Sequence, residues 1–133
     1  MRLLVDTHVL LWILQEPSKL SRAAVRSVSD PNAEVYVSAV SFWEIALKVQ
    51  LGKMALEGIT MADLPQTALD SGLKMLDLDV STASGFASLP LKQGHRDPFD
   101  RMIIHQAITG GFMLLSKDAL FGQYLIDGLD LRW

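Results

Sequence analysis

The stretch GHRDPFDRMIIHQA, residues 94–107, carries two aspartates three positions apart, with His95, Arg96 and Arg101 around them. Asp97 precedes Pro98, and proline favours the first position of a helix because its missing N–H has no helical partner to lose. Asp97 is therefore read as the N-cap, its side chain accepting from a free backbone N–H. Asp100 then falls at the third helical position, where a negative charge suits the helix dipole. Starting a helix is enough to explain both acids. Asp100, Ile103, Ile104 and Ala107, however, also follow the i, i+3, i+4, i+7 spacing of a buried face. The spacing assigns Asp97 to the cap and aims Asp100 inward.

Three further acids stand where a site could use them. Asp6 directly follows the apolar run LLV, and Asp118 lies three residues beyond FMLL, in LLSKD. Glu44, in SAVSFWEIALKVQLGKM, lies beside the helical stripe made by Val40, Leu47 and Leu51. Its simpler role is an exposed i,i+4 pair with Lys48, worth roughly a few tenths of a kcal/mol. Its other role is as a fourth acid of a site. In open parallel α/β sheets, ligands bind beyond the carboxyl ends of the strands, and these acids would converge there. Unpaired carboxylates in a partly dry cleft repel one another. A hard divalent cation with oxygen ligands, Mg²⁺ or Mn²⁺, resolves that conflict. Such an ion binds phosphate oxygens and acidifies water, so phosphodiester hydrolysis is the natural reaction class.

Arg96, Arg101 and Lys117, next in sequence to these acids, are candidate phosphate contacts. A solvated face or a salt bridge explains them equally well. His95 and His105 are of a type that binds metal or substrate, although surface or core histidines are commoner. His8 reads as structural.

The elements that must position these residues alternate. LLV at 3–5 reads as a short buried strand and HVLLWIL at 8–14 as a helix stopped by Pro17. Ser21 caps a helix over RAAVRSVSD, and VYVS at 35–38 has the β-branched and aromatic character of a second strand. A longer helix runs from about Val40 to Leu51, with Gly52 as its stop. Pro65 opens a short helix ending at Gly72, with Met61–Leu64 either turn or helix. LKMLDL at 73–78 is a third strand, STASGFASL a short helix, and PLKQGHR a loop. The helix that starts at Asp97 and Pro98 runs to about Thr109 and is closed by Gly110 and Gly111. FMLL at 112–115 is a fourth strand, ALFGQYL a weak helix or turn, and LDLRW a weak last strand. Short apolar strands alternating with helices predict an α/β fold with a mainly parallel sheet covered on both faces.

Composition sets the outer limits. The chain of 133 residues is one domain by length, 1–133, with 50% hydrophobic and 20% charged residues. The start, LLVDTHVLLWIL, is broken by Asp6 and His8, which speaks against a membrane span or a signal peptide. Zero cysteines exclude disulfides and cysteine-based metal sites, and suit a reducing, cytoplasmic setting. The net charge of −3 argues against nucleic-acid binding by bulk electrostatics, but not against a site that reaches phosphate through a cation.

LLVDTHVLLW, VSAVSFWEIALKVQLGKM, HRDPFDRMIIHQA and LLSKD, in this order and at these spacings, resemble the PIN domain, and within it the VapC-type ribonuclease toxins of toxin–antitoxin pairs. The resemblance covers essentially the whole chain and implies a three-layer αβα sandwich around a parallel sheet of about five strands. It implies Mg²⁺- or Mn²⁺-dependent endoribonuclease activity, with the family's acids falling on Asp6, Glu44, Asp100 and Asp118. Asp6, Asp100 and Asp118 would hold the metal, and Glu44 would bind a second ion or help to deprotonate water. Thr7 and Ser116 fall on family Thr or Ser positions that orient water or a ligand carboxylate. Asp97 belongs to the DPFDR form of one branch and stands second to Asp100. The resemblance also implies a homodimer and a cognate VapB-like antitoxin. Trp12, Phe42, Trp43 and Leu51 would supply part of an apolar surface for that partner, with core packing as their simpler role. The rival reading is a receiver-like or non-cleaving RNA-binding module that holds Mg²⁺ without nuclease chemistry. Glu44 and Asp100, arising from helices, are acids that a receiver-like module need not carry.

Overall fold

In the strand β1 (Arg2–Val5), Leu3 and Val5 point to one face and Leu4 to the other, and all three are fully buried. A strand buried on both faces belongs at the centre of a sheet, and β1 takes that place in a computed structural model describing residues 1–133. It pairs in parallel with β2 (Glu34–Ser38) and with β4 (Met113–Leu115). Outside these lie β3 (Lys74–Leu76) and β5 (Asp130–Arg132), giving the order β3-β2-β1-β4-β5 with every pair parallel. Val5 stands in register with Val37 on one side and Leu115 on the other. The residues that follow, Asp6, Ser38 and Ser116, thus leave the sheet side by side.

Helices cover both faces, which completes the αβα sandwich. On one face Leu3, Val5, Val35, Val37 and Leu115 pack with Val9 and Leu10 of α1 (Thr7–Gln15) and Ile45 of α3 (Ala39–Gln50). Leu64 and Ala68 of α4 (Leu64–Asp70) close that core, and α2 (Arg22–Ser29) leans on it through Val28. On the other face Leu4 and Leu114 meet Ile103, Ile104 and Ala107 of α6 (Pro98–Gly110). Phe121 and Tyr124 join this second core from a 3-10 helix, Ala119–Asp127. The short α5 (Val80–Gly85) packs against α6. α3 feeds both cores, Ile45 into the first and Val40 into the second.

Local sequence explains the boundaries. Ser21 accepts from the Ala24 N–H and starts α2, as its type predicts. α4 begins one residue before Pro65, and 61–63 form a turn. ALFGQYL resolves as part of the 3-10 helix, and the weak last strand is real. Gly111 ends α6 at φ 69°, a left-handed conformation that a side chain would strain. α6 is also fastened to the sheet edge. Ser38 Oγ bonds Gln106 Oε1 at 2.5 Å, and Gln106 Nε2 donates to the Asp77 carbonyl at 3.3 Å beyond β3.

Because Leu4 has no exposure and sits where β1 meets α6, Leu4→Ala should cost about 2–5 kcal/mol. Urea unfolding, with an unchanged denaturant slope, would show it.

Candidate active site

Each acid reaches the carboxyl edge of the sheet by an identifiable local device. Asp6 is 4% exposed and serves as the N-cap of α1, accepting from the Val9 N–H at 2.8 Å. Asp118 caps the 3-10 helix through the Leu120 N–H at 2.9 Å. Ser116, buried, accepts from the Asp118 N–H at 3.1 Å, and its hydroxyl acts to lower the Asp6 pKa. Thr7, also buried, donates to Ser41 Oγ at 3.0 Å and ties α1 to α3. Asp97 is exposed and accepts from the Phe99 and Asp100 N–H groups at 2.9 and 3.0 Å, the cap that its sequence position predicts. Asp100 stands one turn inward, half-buried, at the head of the buried Ile103–Ile104–Ala107 stripe.

Glu44 differs from its simpler expectation. The i,i+4 pair forms, with Lys48 Nζ 2.5 Å from Oε2, yet Glu44 is only 2% exposed. The buried residues of α3 are Val40, Ser41, Glu44 and Ile45, while Leu51 is exposed. Because α3 is packed against both α1 and α6, its covered face is wider than one stripe, and Glu44 falls inside it. Oε1 of Glu44 is buried without any hydrogen-bond partner.

These groups feel one another. Burial, followed by the charges of Asp97, Glu44, Asp6 and Asp118, pushes the Asp100 pKa up to about 7. Burial also raises the Asp6 pKa, against the lowering effects of its Ser116 and Val9 hydrogen bonds and of His8. Burial opposes the charge on Lys48, but Glu44, with help from Asp97 and Asp100, lifts its pKa above the ordinary lysine value. His95, 3% exposed, has its pKa lowered by burial and turns Nε2 to within 3.7 Å of Asp100 Oδ2. Single ligand atoms of His95, Asp100 and Asp118 all lie within 4.8 Å of one another. Asp6 and Glu44 stand outside that close group and reach Asp100 by charge alone, and two carboxylates with the orphaned Glu44 oxygen nearby fit a hard divalent cation.

Beside the acids opens a cleft of about 310 Å³ lined by Asp6, His8, Trp12, Lys117 and Asp118. His8 is exposed and lines this cleft, its ring 5.9 Å from that of Trp12, which replaces the structural role expected of it. Lys117 is exposed on the same wall, with Nζ 6.0 Å from the Trp12 ring, and Arg96 is exposed on the loop before α6. Arg101 is not placed to meet phosphate. It is buried, donates to the Leu89 and Pro90 carbonyls and to the Tyr124 hydroxyl, and lies over the Phe86 ring. His105 is likewise internal, its Nε2 3.1 Å from the Thr82 carbonyl. Trp43 is 62% exposed and edge-on to Phe99 at 5.0 Å, and Leu51 is exposed too, so core packing does not describe either. Trp12 and Phe42 are half-buried against the core. The missed features are Lys48 as a cation among the acids and His95 as a buried neighbour of Asp100. Both left a trace in sequence, Lys48 as the i+4 partner of Glu44 and His95 as a histidine five residues before Asp100, but neither trace gave its place among the acids.

Residues 3–124 match the PIN domain family. The chain belongs to that family. It is 31% identical over 115 residues to Ribonuclease VapC22 of Mycobacterium tuberculosis, covering 86% of this chain and 85% of that protein. Its fold is shared with VapBC2 of Rickettsia felis bound to a promoter DNA fragment, at a TM-score of 0.70 and 16% identity, covering 99% and 98% of the two chains. VapBC-1 from nontypeable Haemophilus influenzae matches at a TM-score of 0.61 and 17% identity, over 99% and 97%. In this PIN domain the carboxyl edge of the sheet is the acidic one.

The Asp100 carboxyl has its pKa raised from 3.8 to about 7, so its neutral form is the one the metal-free fold favours. The stability this provides is complete below the ordinary carboxyl range and is lost as pH rises through about 7. In EDTA, Asp100→Asn should therefore stabilise the protein near pH 8 by on the order of 1 to 2 kcal/mol, solvent screening part of the full effect. It should also flatten the loss of stability over about pH 4 to pH 8, a fall that is nearly complete once pH passes about 7. Urea melts across that range measure both; a wild-type stability already flat there is the contrary result.

Proposed function

We propose that this PIN domain is a metal-dependent endoribonuclease and the toxin of a toxin–antitoxin pair. The observation that carries the reading is Asp100 beside Asp118 at one sheet edge, within the electrostatic reach of Asp6 and Glu44, in a chain 31% identical to a ribonuclease across 86% of its length. Asp6, Asp100 and Asp118 hold Mg²⁺ or Mn²⁺, and Glu44 completes the set. When bound, such an ion polarises a phosphodiester oxygen and acidifies water.

The protein's own part is positional. Ser116 holds the Asp118 backbone and helps to keep Asp6 ionised, and Thr7 fixes α1 to α3 through Ser41. Glu44, with one carboxylate oxygen unpartnered, is the group free to take a proton from the attacking water. Asp97 supports the site by placing the first turn of α6. Lys117 and Arg96 are the cations left exposed to meet RNA phosphates. The His8 and Trp12 rings offer flat surfaces to unstacked bases. The exposed Trp43 and Leu51 are the part of the expected apolar surface left open to a VapB-like antitoxin or a second copy in a homodimer. No helix is long and apolar enough to cross a membrane, and the activity belongs in the cytoplasm, beside its RNA. A receiver-like module would have no use for a buried Glu44 and a half-buried Asp100 beside the other acids.

Purified protein should cut RNA in Mg²⁺ or Mn²⁺ and stop in EDTA. Asp6→Asn and Asp100→Asn should each lower cleavage by at least about a hundredfold, an effect of about 3 kcal/mol on the barrier. Both should relieve growth inhibition on expression. Asparagine remains a competent N-cap at position 6, so the fold survives the test. Wild-type cleavage by both folded variants would refute the assignment.

A further inference from the structure

Behind Asp100 runs a short chain of buried polar groups that the acidic site alone does not require. His95 Nδ1 lies 2.9 Å from the hydroxyl of Tyr124, a residue with no exposure. Arg101 Nε donates to the same hydroxyl at 3.4 Å. A guanidinium can only donate, so the phenol oxygen is the acceptor there. The phenol proton then needs an acceptor of its own, and His95 Nδ1 is the one within hydrogen-bond reach. A buried hydroxyl left unpaired costs roughly 1–3 kcal/mol, which fixes Tyr124 as donor and Nδ1 as acceptor. In a neutral imidazole the ring proton must then sit on Nε2. That nitrogen is buried, has no hydrogen-bond partner, and faces Asp100 Oδ2 at 3.7 Å.

We propose that His95 is a positioning residue for the acidic site: Tyr124 and Arg101 fix its proton on Nε2, and that N–H is presented to Asp100 so as to orient the carboxylate for the cation. The grouping of His95 with Asp100 and Asp118 would by distance alone also suit a nitrogen ligand. A protonated Nε2 has no lone pair to give a metal, so the hydrogen-bond chain selects the donor role. At 3.7 Å the N–H faces Asp100 without yet bonding it, a short shift from the hydrogen bond by which such outer partners commonly orient metal ligands. The same chain accounts for Arg101 turning away from the cleft. The proposal rests on Asp100 being a metal ligand, but the placement of the proton does not.

Long-range proton–nitrogen NMR of the metal-free full chain reads the tautomer directly. Wild type should show Nε2 protonated and Nδ1 as the acceptor. Tyr124→Phe, which removes only the hydroxyl, should release that preference. A proton on Nδ1 in the wild type overturns the proposal whether or not the protein cuts RNA.

Mn²⁺ titration followed by electron paramagnetic resonance gives the second measurement. His95→Phe should weaken Mn²⁺ binding about tenfold, and His95→Gln, whose amide N–H lies near the Nε2 position, should recover it to within about threefold. If His95→Phe does not fold, Tyr124→Phe takes its place, with an expected loss of about threefold. Unchanged affinity in the folded variants overturns the proposal, as does a nitrogen coupling from imidazole to bound Mn²⁺ in pulsed measurements. Wild type that binds Mn²⁺ with this pattern but leaves RNA intact would instead overturn the assigned activity, and the two failures remain distinct.

Discussion

Like charges brought together out of water are the constraint around which this molecule is built. A parallel sheet makes the gathering possible and also tempers it. With every strand pointing the same way, α1, α3, α6 and the last 3-10 helix all begin at the edge where the strands end. The positive ends of those helices meet there. Asp6, Asp97 and Asp118 each bond a free N–H at such a start, and Ser38 does so for α3. The compensation is partial. Asp100 caps nothing, and burial among the other acids holds its pKa near 7. Glu44 keeps one oxygen paired to Lys48 and one bare.

Lys48 changes how that balance is struck. Its ammonium is drawn toward Glu44, Asp97 and Asp100 and is still about a third exposed. A tethered cation at the rim lowers the repulsion that the fold must carry before any ion arrives. It does so without pairing the buried oxygen of Glu44, which stays available to a further partner.

Much of this was legible in the residues. Strand runs, proline and glycine punctuation and cap types set the elements, because each is a local preference that tertiary packing here did not override. The placement of Asp6 and Asp118 followed from strand ends in a parallel sheet, and the division between Asp97 and Asp100 from helical periodicity. What resisted reading depended on neighbours distant in sequence. Glu44 looks like a surface partner of Lys48 until α1 and α6 close over it. Arg101 adjoins Asp100 in sequence, but one residue is a turn of about 100°, enough to send its guanidinium toward Leu89 and Pro90 instead of the cleft. His95 lies on a loop with no period to betray its direction, and the partner that fixes it, Tyr124, comes 29 positions later.

The caps carry a further consequence. Asp6 and Asp118 hold their helices through an oxygen acceptor, and asparagine offers the same acceptor on a side chain of the same length. Either aspartate codon becomes an asparagine codon by one base transition. On the proposed function, a gene encoding this protein stands a single nucleotide away from one whose product keeps its shape and loses its harm. Silenced copies should therefore arise easily and persist as well-folded proteins instead of being cleared as unfolded chains.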